Sequence, residues 1–394
     1  MTHITPDNQI RLLQNGEAYF PAIEAALDQA VDEIYLESYI FENDNTGRRI
    51  AEALRRAAFR GVKTHVLIDG FGSNRLPKTM IDYLEAAGIM VMKFRPKISP
   101  WTLRRQRLRR LHRKIVVVDR KIAFVGGINI IDDMEPGQTS PRYDYAVSVE
   151  GPLVKKIYLA VRQVWLRVAW TRLRPYRGMN NHRKAPSSKP MGCIRAAFLI
   201  RNNIRHRRDI ENAYLQAIGQ AQFEIILANA YFLPGLNFRR ALLDAVGRGV
   251  RVVLLLQGKV KYRLFHYASH ALHGSFINSG IEIYEYQKSH MHAKVAVIDE
   301  RWATVGSSNL DPFSLLLALE ANVIVDDENF AKTLKHSLGQ EIRMGAKRIC
   351  ESNWKTQPLR LRIMTWISYG LVRFMTGMAG YAQDKKESDH PFFM

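Results

Sequence analysis

Two histidines, two lysines and two asparagines recur in this chain at matched spacing. Converging, they could bind a tetrahedral anion and move it between oxygens. The first copy reads His112-Arg113-Lys114, then Asp119, then Gly126-Gly127-Ile128-Asn129. The second reads His292-Ala293-Lys294, then Asp299, then Gly306-Ser307-Ser308-Asn309. In both, Lys lies two residues after His, Asp seven, the first Gly fourteen and Asn seventeen. The match points to one active site assembled from two half-sites. Residues two apart on a strand share a face, so each His points the same way as its Lys. Two ammonium groups and two amides meeting at one point make a socket for a phosphate diester. Two imidazoles then divide the work. One attacks phosphorus and forms a phosphohistidine; the other protonates the leaving alkoxide, then deprotonates the incoming alcohol or water. Lysines stabilise the charge that metal ions handle elsewhere, so neither a metal nor a cofactor is expected.

The candidate catalytic set is therefore His112, Lys114, Asp119, His292, Lys294 and Asp299, with Asn129 and Asn309 on the phosphate. Within it, Asp119 and Asp299 have the opposite parity and fall at predicted turns. They are expected to stabilise backbone there rather than touch the reacting group. A nucleophilic imidazole also needs its second nitrogen fixed by an acceptor. Each copy offers one just downstream, Asp144 in Tyr143-Asp144-Tyr145-Ala146-Val147 and Glu320 in Leu319-Glu320-Ala321-Asn322-Val323.

The elements that must position these groups are duplicated too. Glu33 to Phe41 parallels Glu224 to Phe232, Arg60-Gly61-Val62-Lys63 parallels Arg248-Gly249-Val250-Arg251, and Gly88-Ile89 parallels Gly280-Ile281. Each repeat reads as strand alternating with helix. Ile34 to Phe41, Val62 to Ile68 and Ile89 to Phe94 are strands, Gly47 to Arg60 and Thr79 to Ala87 are helices, and Lys114 to Val125 is a hairpin turned at Asp119-Arg120-Lys121. The pattern predicts an α/β protein of two duplicated sandwich domains. The expected boundaries are 1–175, a Pro-, Asn- and Ser-rich linker at 176–194, 195–350, and a tail at 351–394. A helix opens the second domain at Asp209 to Ala221.

The chain has 394 residues, enough for two domains with real cores, and a formal charge of +21. Such an excess attracts polyanions, either nucleic acid or anionic lipid. The cations cluster at Arg104 to Arg110, Arg162 to Arg177 and Arg201 to Arg208. Two cysteines, Cys193 and Cys350, exclude a disulfide framework and a Cys-based metal site. The first residues lack the basic and apolar regions of a secretory signal. Leu153 to Trp170 reads as a cationic amphipathic helix. The tail from Ile363 to Tyr381 is rich in Met and aromatics and carries only Arg373. It approaches the ~20 apolar residues of a spanning helix, but the central Arg373 and three glycines suit a helix lying in the membrane interface better. Docking on the protein's own core is the other reading. His266, His270 and His273 sit at helical spacing, but no acidic third ligand follows in a recognised pattern, so packing is the expected role. By parity, His290 shares the face of His292.

The double His-x-Lys-x4-Asp and Gly-Gly/Ser-x-Asn pattern resembles the phospholipase D superfamily, over about residues 10 to 345. Within it, His112 to Asp133 and His292 to Val325 are similar to bacterial cardiolipin synthases, the shorter B-type above all. The resemblance implies two α/β sandwiches related by a pseudo-twofold axis, with the site at their interface. It implies transfer of a phosphatidyl group between two phosphatidylglycerol molecules, giving cardiolipin and glycerol, at the cytoplasmic side of the inner membrane by a peripheral or monotopic enzyme. It also implies His112 as nucleophile and His292 as acid/base, roles that the near-symmetric sequence alone does not assign. Gly127 departs from Ser307, so only the second half offers a hydroxyl to phosphate. A nuclease with the same chemistry would suit the basic charge but not the tail, so nucleic acid is not the expected partner. A hydrolase using water separates poorly from a transferase by sequence. A non-catalytic lipid scaffold is disfavoured by intact His, Lys and Asn in both halves.

Overall fold

The structure is a computed structural model that describes residues 3–95, 109–134, 137–138, 140–171, 189–202, 206–259, 263–311, 318–350 and 359–378. The first half runs β1 (Thr5–Gln14), α1 (Asn15–Asp28), β2 (Glu33–Ser38), α2 (Asn45–Phe59), β3 (Lys63–Asp69), α3 (Lys78–Glu85), β4 (Met90–Phe94), β5 (Arg110–Leu111), β6 (Lys114–Val118), β7 (Ile122–Gly126), β8 (Tyr145–Glu150) and α4 (Leu153–Thr171). The second half runs β9 (Ile194–Arg201), α5 (Asp209–Gln220), β10 (Glu224–Asn229), α6 (Leu236–Gly247), β11 (Arg251–Gln257), α7 (Arg263–His270), α8 (His273–Asn278), β12 (Glu282–Tyr286), β13 (Lys294–Ile298), β14 (Trp302–Gly306), β15 (Ala318–Asp326), α9 (Glu328–Gly345), β16 (Ala346–Ile349) and α10 (Leu359–Met378).

Local chemistry explains the shared frame. The Asp44 carboxylate caps α2 by accepting from Gly47 N, and Ile50, Ala51, Ala53, Leu54 and Ala57 bury its inner face. Gly61 then turns the chain into β3 at φ +89°, and Gly249 does the same before β11 at φ +87°. That backbone region favours glycine, which is why the Arg-Gly-Val stretch recurs.

The strands form one continuous sheet in the order β4-β3-β2-β6-β7-β8-β1-β9-β15-β14-β13-β10-β11-β12-β16, with β5 paired to β15. Read outward from the β1–β9 junction, the two halves repeat the same strand order, as a pseudo-twofold axis requires. Strands β2, β3 and β4 are parallel, as are β10, β11 and β12; the hairpins β6–β7 and β13–β14 are antiparallel. Helices α1 to α3 bury one apolar layer on the first half and α5 to α8 one on the second. A third layer is shared, joining α4 and α9 to residues of both halves, and β7 and β8 lie against β14 and β15 within it.

Sequence periodicity located most of these elements but not β1 and β9. Their Thr5↔Ala196 and Asn8↔Ile194 pairings join the halves at the centre of the sheet. The last residue of the expected 176–194 linker, Ile194, opens strand β9, and 176–188 of that linker lie outside the described residues. Helix α4, expected as a cationic amphipathic helix, turns its apolar side inward: Leu153, Val154, Ile157, Val161, Val164 and Trp165 are buried in the shared core. The cations at 104–108, 172–177 and 203–205 lie outside the described residues, as do the tail residues after Met378.

Candidate active site

Each histidine sits where its chain meets the other half. His112 follows the short strand β5, which pairs in parallel with β15 through Ala318↔Arg110 and Leu319↔Leu111. Its backbone N donates to Leu319 O at 3.0 Å, which sets the next residue, Glu320, beside the ring. His112 Nδ1 lies 2.9 and 3.1 Å from the two Glu320 oxygens. The second site repeats this. His292 N donates to Tyr143 O at 2.7 Å, and Tyr143 N to His290 O at 2.9 Å. His292 Nδ1 lies 2.7 Å from Asp144 Oδ2. Each carboxylate found downstream of one motif thus holds the imidazole of the other, which corrects the expectation that a copy supplies its own. With Nδ1–H given to Glu320, the His112 ring is left in the tautomer whose Nε2 lone pair is free.

Lysines lie under both rings. Lys114 Nζ donates to His112 O at 2.6 Å and sits 5.4 Å from the centre of the Tyr39 ring. Lys294 Nζ donates to His292 O in the same way. Both ammoniums are buried. Burial, then the positive charge of Lys294, brings Lys114 down to about 7, although Glu320 and Asp144 oppose the shift. Burial likewise brings Lys294 to about 8 against the pull of Asp144 and Glu320. The cross-half pairings of His112 with Glu320 and of His292 with Asp144, each with its lysine on the histidine carbonyl, bring all six groups into one cluster.

The halves are electrostatically unequal. Burial pushes the Asp144 carboxyl up to about 7, with Lys294 opposing. Burial also raises Glu320, but His112, Lys114 and Ser307 outweigh it and leave Glu320 below the usual carboxylate range. Burial lowers His112, partly offset by Glu320. Burial, with Lys294, Lys114, Arg142 and His112 as neighbouring positive groups, holds His292 well below an ordinary histidine.

The Gly127–Ser307 departure accounts for part of this. A Cβ on Gly127 would lie 2.3 Å from Asp144 Oδ1, so the short carboxylate reaches His292 only because that position is glycine. In the other half, the Ser307 hydroxyl donates to Glu320 and accepts from Ala321 N at 3.1 Å. Its proton is spent on the orienting carboxylate, which corrects the expectation that Ser307 faces phosphate.

Asn129 Oδ1 accepts from Ile40 N at 3.1 Å, which fixes the amide and leaves its NH2 for a ligand. Asn309 is buried at the equivalent position. Asp119 and Asp299 stand at the far ends of β6 and β13 from the lysines. Asp119 accepts from Val31, Asp32 and Glu33 N at 2.8–3.0 Å, and Asp299 from Gln222, Phe223 and Glu224 N at 2.8–2.9 Å. Both also occupy the first of two consecutive positive-φ turn positions, which Asp tolerates. Their place in the catalytic set is therefore a structural one: they anchor the loop entering β2 or β10. Tyr39, edge-on to His112 with ring centres 4.8 Å apart, was missed. The repeat gave no signal for it, because Tyr39 aligns with Ala230 in a stretch where Tyr35, Glu37, Ser38 and Ile40 differ from their counterparts as well. His290 Nδ1 is 2.8 Å from Gln257 Nε2.

The one group with metal-ligand proximity among the described residues is elsewhere. His270, His273 and Glu285 have ligand atoms within 4.8 Å of one another. Glu285, on β12, is the acidic partner that sequence spacing could not supply. The His266 ring lies tilted against His270 at 4.1 Å, His270 stacks on His273 at 4.4 Å, and His270 Nε2 is 3.2 Å from Glu285, so they pack together against β12.

A duplicated α/β half whose paired histidines are held crosswise above buried lysines defines an enzyme of the phospholipase D superfamily. Comparison with known proteins is narrower. The family model described as "Cardiolipin synthase, PLD-like domain" matches residues 23–158 and 214–341. Cardiolipin synthase B of Shigella flexneri is 40% identical over 346 residues, 88% of this chain and 83% of that protein, and the Escherichia coli K12 protein of the same name shows the same values. Cardiolipin synthase A of Pseudomonas putida is 31% identical over 92% of this chain and 74% of its own. Phosphatidylserine synthase from Haemophilus influenzae shares the fold, with a TM-score of 0.71 over 94% of both chains at 14% identity. The chain belongs to the cardiolipin synthase family, whose members are phosphatidyltransferases acting on phospholipids.

Proposed function

We propose that this enzyme transfers a phosphatidyl group from one phosphatidylglycerol to another, giving cardiolipin and glycerol. His112 Nε2 attacks the donor phosphorus while Glu320 holds its Nδ1 proton. The bond from phosphorus to the glycerol oxygen breaks, and His292 gives that oxygen its proton. Glycerol leaves and a phosphatidyl-histidine remains. His292 then takes the proton of a hydroxyl on the second phosphatidylglycerol, whose oxygen displaces His112 from phosphorus. Lys114 and Lys294, with Asn129 and Asn309, carry the negative charge that builds on the phosphoryl oxygens.

The observation that carries this reading is the crosswise pair of dyads, His112–Glu320 and His292–Asp144. The unequal environments suit unequal roles. Glu320 is ionised and can stabilise a positive phosphohistidine. Burial raises the Asp144 carboxyl to about 7, so the Asp144–His292 pair can hold a proton near neutral pH, and a bound phosphate anion favours its place on the ring, ready for the leaving oxygen.

The setting proposed is the inner face of the cell membrane, and the tail supports its membrane-bound part. Among the described residues no helix is long and apolar enough to cross a bilayer. Helix α10 instead docks against α7, with Thr365, Ser368 and Val372 buried and Trp366, Ile367 and Phe374 exposed. An outward apolar face of this kind fits insertion among lipid headgroups.

Purified enzyme incubated with labelled phosphatidylglycerol should yield cardiolipin and free glycerol in equal amounts, read by mass spectrometry. Phosphatidic acid as the main product would make it a hydrolase and overturn the transfer reading.

A further inference from the structure

Away from the reaction centre, three imidazoles and a carboxylate gather in the helix layer of the second half. His270 ends α7 and His273, which is buried, opens α8. Glu285, on β12, has the parity of Ile283, which is buried in the layer of α5 to α8. Ligand atoms of His270, His273 and Glu285 lie within 4.8 Å of one another, and His270 Nε2 is 3.2 Å from Glu285 Oε1. His266 stands one turn before His270 on α7, with ring centres 4.1 Å apart. The repeated frame does not call for this cluster. Counted from the matched Gly88 and Gly280, the first half carries Asn74, Lys78, Ile81 and Lys93 at these places.

An ion pair between His270 and Glu285 accounts for one imidazole, not for the others beside it. Two imidazoles and a carboxylate are a zinc donor set, with nitrogen at about 2.0–2.1 Å and oxygen at about 2.0–2.2 Å from the ion. Tetrahedral angles then put two ligand atoms roughly 3.3–3.5 Å apart. His270 and Glu285 are already close to that separation. Imidazole nitrogen selects against magnesium and calcium, which prefer oxygen alone. We propose that His270, His273 and Glu285 bind one divalent transition-metal ion such as zinc, with His266 as the fourth ligand. The site stands apart from the chemistry, since β11 and β10 separate β12 from β13, the strand of Lys294. Its task is structural. A bound ion joins α7 and α8 to the sheet, and α10, with its exposed apolar residues, rests on α7.

Binding is read without turnover, so the outcome stands apart from whether the enzyme transfers or hydrolyses. Tag-free protein carrying His112→Ala and His292→Ala, which removes the reaction centre as a rival ligand set, is stripped with EDTA and desalted. Calorimetric titration with Zn2+ should show one ion per chain, with a Kd at or below about 1 μM. Co2+ in its place should give the strong visible absorption of a four-coordinate ion. Zinc should also raise the melting temperature by several degrees. Glu285→Gln and His270→Gln, added separately, should weaken binding by about a hundredfold or more, beyond the loss expected of an outer-shell change. Both should lose the cobalt band and the thermal shift. Circular dichroism checks their fold, and the parent titration with its cobalt spectrum carries the test if neither folds. A parent that binds no zinc in the micromolar range overturns the proposal. So does a weak six-coordinate cobalt spectrum, or unchanged zinc binding in either folded variant.

Discussion

His112 Nδ1 lies 2.9 Å from Glu320 Oε1, a carboxylate 208 residues further along the chain and in the other half of the molecule. His292 reaches back in the same way, 148 residues, to Asp144. Neither half contains a complete dyad, so the reaction centre exists only when both are docked. Glu320→Gln keeps the shape but cannot accept the imidazole proton as an anion. It should lower kcat by about 10²–10⁴-fold, the range seen when an orienting carboxylate is neutralised or removed. A double-mutant cycle measured by kcat in mixed micelles should show Glu320→Gln nearly silent on top of His112→Ala. Full additivity of the two would contradict the crosswise dyad.

Gly127 and Ser307 are matched to carboxylates of different length. Aspartate is short, and it reaches His292 by passing through the space where a Cβ on Gly127 would stand. Glutamate is longer and is steadied by the Ser307 hydroxyl. Gly127→Ala should displace Asp144 and lower kcat at least tenfold, and Ser307→Ala should cost roughly 10- to 100-fold, as for other orienting partners. Asp144 and Glu320 remain ionisable in both variants, so the loss should appear in kcat more than in KM. A loss confined to KM would instead restore Ser307 to the phosphate.

Asp119 and Asp299 bear on stability. Each accepts three backbone N–H groups at the entry to β2 or β10. Asp119→Ala removes a charged acceptor and strands part-buried donors, which should cost on the order of 2–4 kcal/mol. The midpoint of urea unfolding should fall accordingly, while the remaining folded enzyme keeps kcat within about threefold. A thousandfold loss of kcat at unchanged stability would place Asp119 in the chemistry.

How much of this was legible in the sequence follows from what repeats. Matched offsets marked His112, Lys114, Asn129 and their partners, because a duplicated chemical requirement leaves a duplicated pattern. Alternating strand and helix periodicity gave the repeated unit. The crosswise assignment of Asp144 and Glu320 was hidden, since two equivalent halves offer two equivalent pairings and only the β5–β15 ladder and the Tyr143–His290 bonds choose between them. Strands β1 and β9 were hidden because their sequences, Thr5–Gln14 and Ile194–Arg201, mix polar and apolar residues with no clear alternation. Their identity as strands comes from pairing at the centre of the sheet. Ser307 was misread because spacing places a hydroxyl near the socket but does not say to whom it donates.

The lysines set a pH dependence. Lys114 and Lys294 are lowered to about 7 and about 8 by burial, so in the empty enzyme they are cationic below those values and neutral above them. A bound phosphate diester favours the charged form and raises both. kcat/KM should therefore fall between pH 7 and 9, by about tenfold per unit for each proton lost, while kcat falls at higher pH. Stability runs the other way. The folded state binds fewer protons than the unfolded one from about pH 7 to the ordinary lysine value of about 10.4, so the empty enzyme should gain stability as pH rises through that window. Lys114→Met should flatten this gain and abolish activity. Thermal melts across the pH range check both signs.

Helix α10 presents its apolar residues the wrong way round for a helix that only packs on its own protein. Thr365 and Val372, 2% and 0% exposed, face inward, while Trp366, Ile367 and Phe374 are 57%, 64% and 66% exposed. More than half of their surface is left in water, and fully burying such side chains is worth roughly 1.5–3 kcal/mol each. A lipid surface supplies it, with the basic protein charge adding attraction to anionic headgroups. Replacing Trp366, Ile367 and Phe374 together by Asp should leave the melting temperature within a few degrees, because these residues contribute little to the packed side. Sedimentation with vesicles of phosphatidylglycerol and phosphatidylcholine should fall at least tenfold. Activity on vesicles should fall with it, while activity on a dispersed short-chain phosphatidylglycerol should survive. Equal losses on both substrates, or unchanged vesicle binding, would show that the exposed face does not hold the enzyme at the membrane.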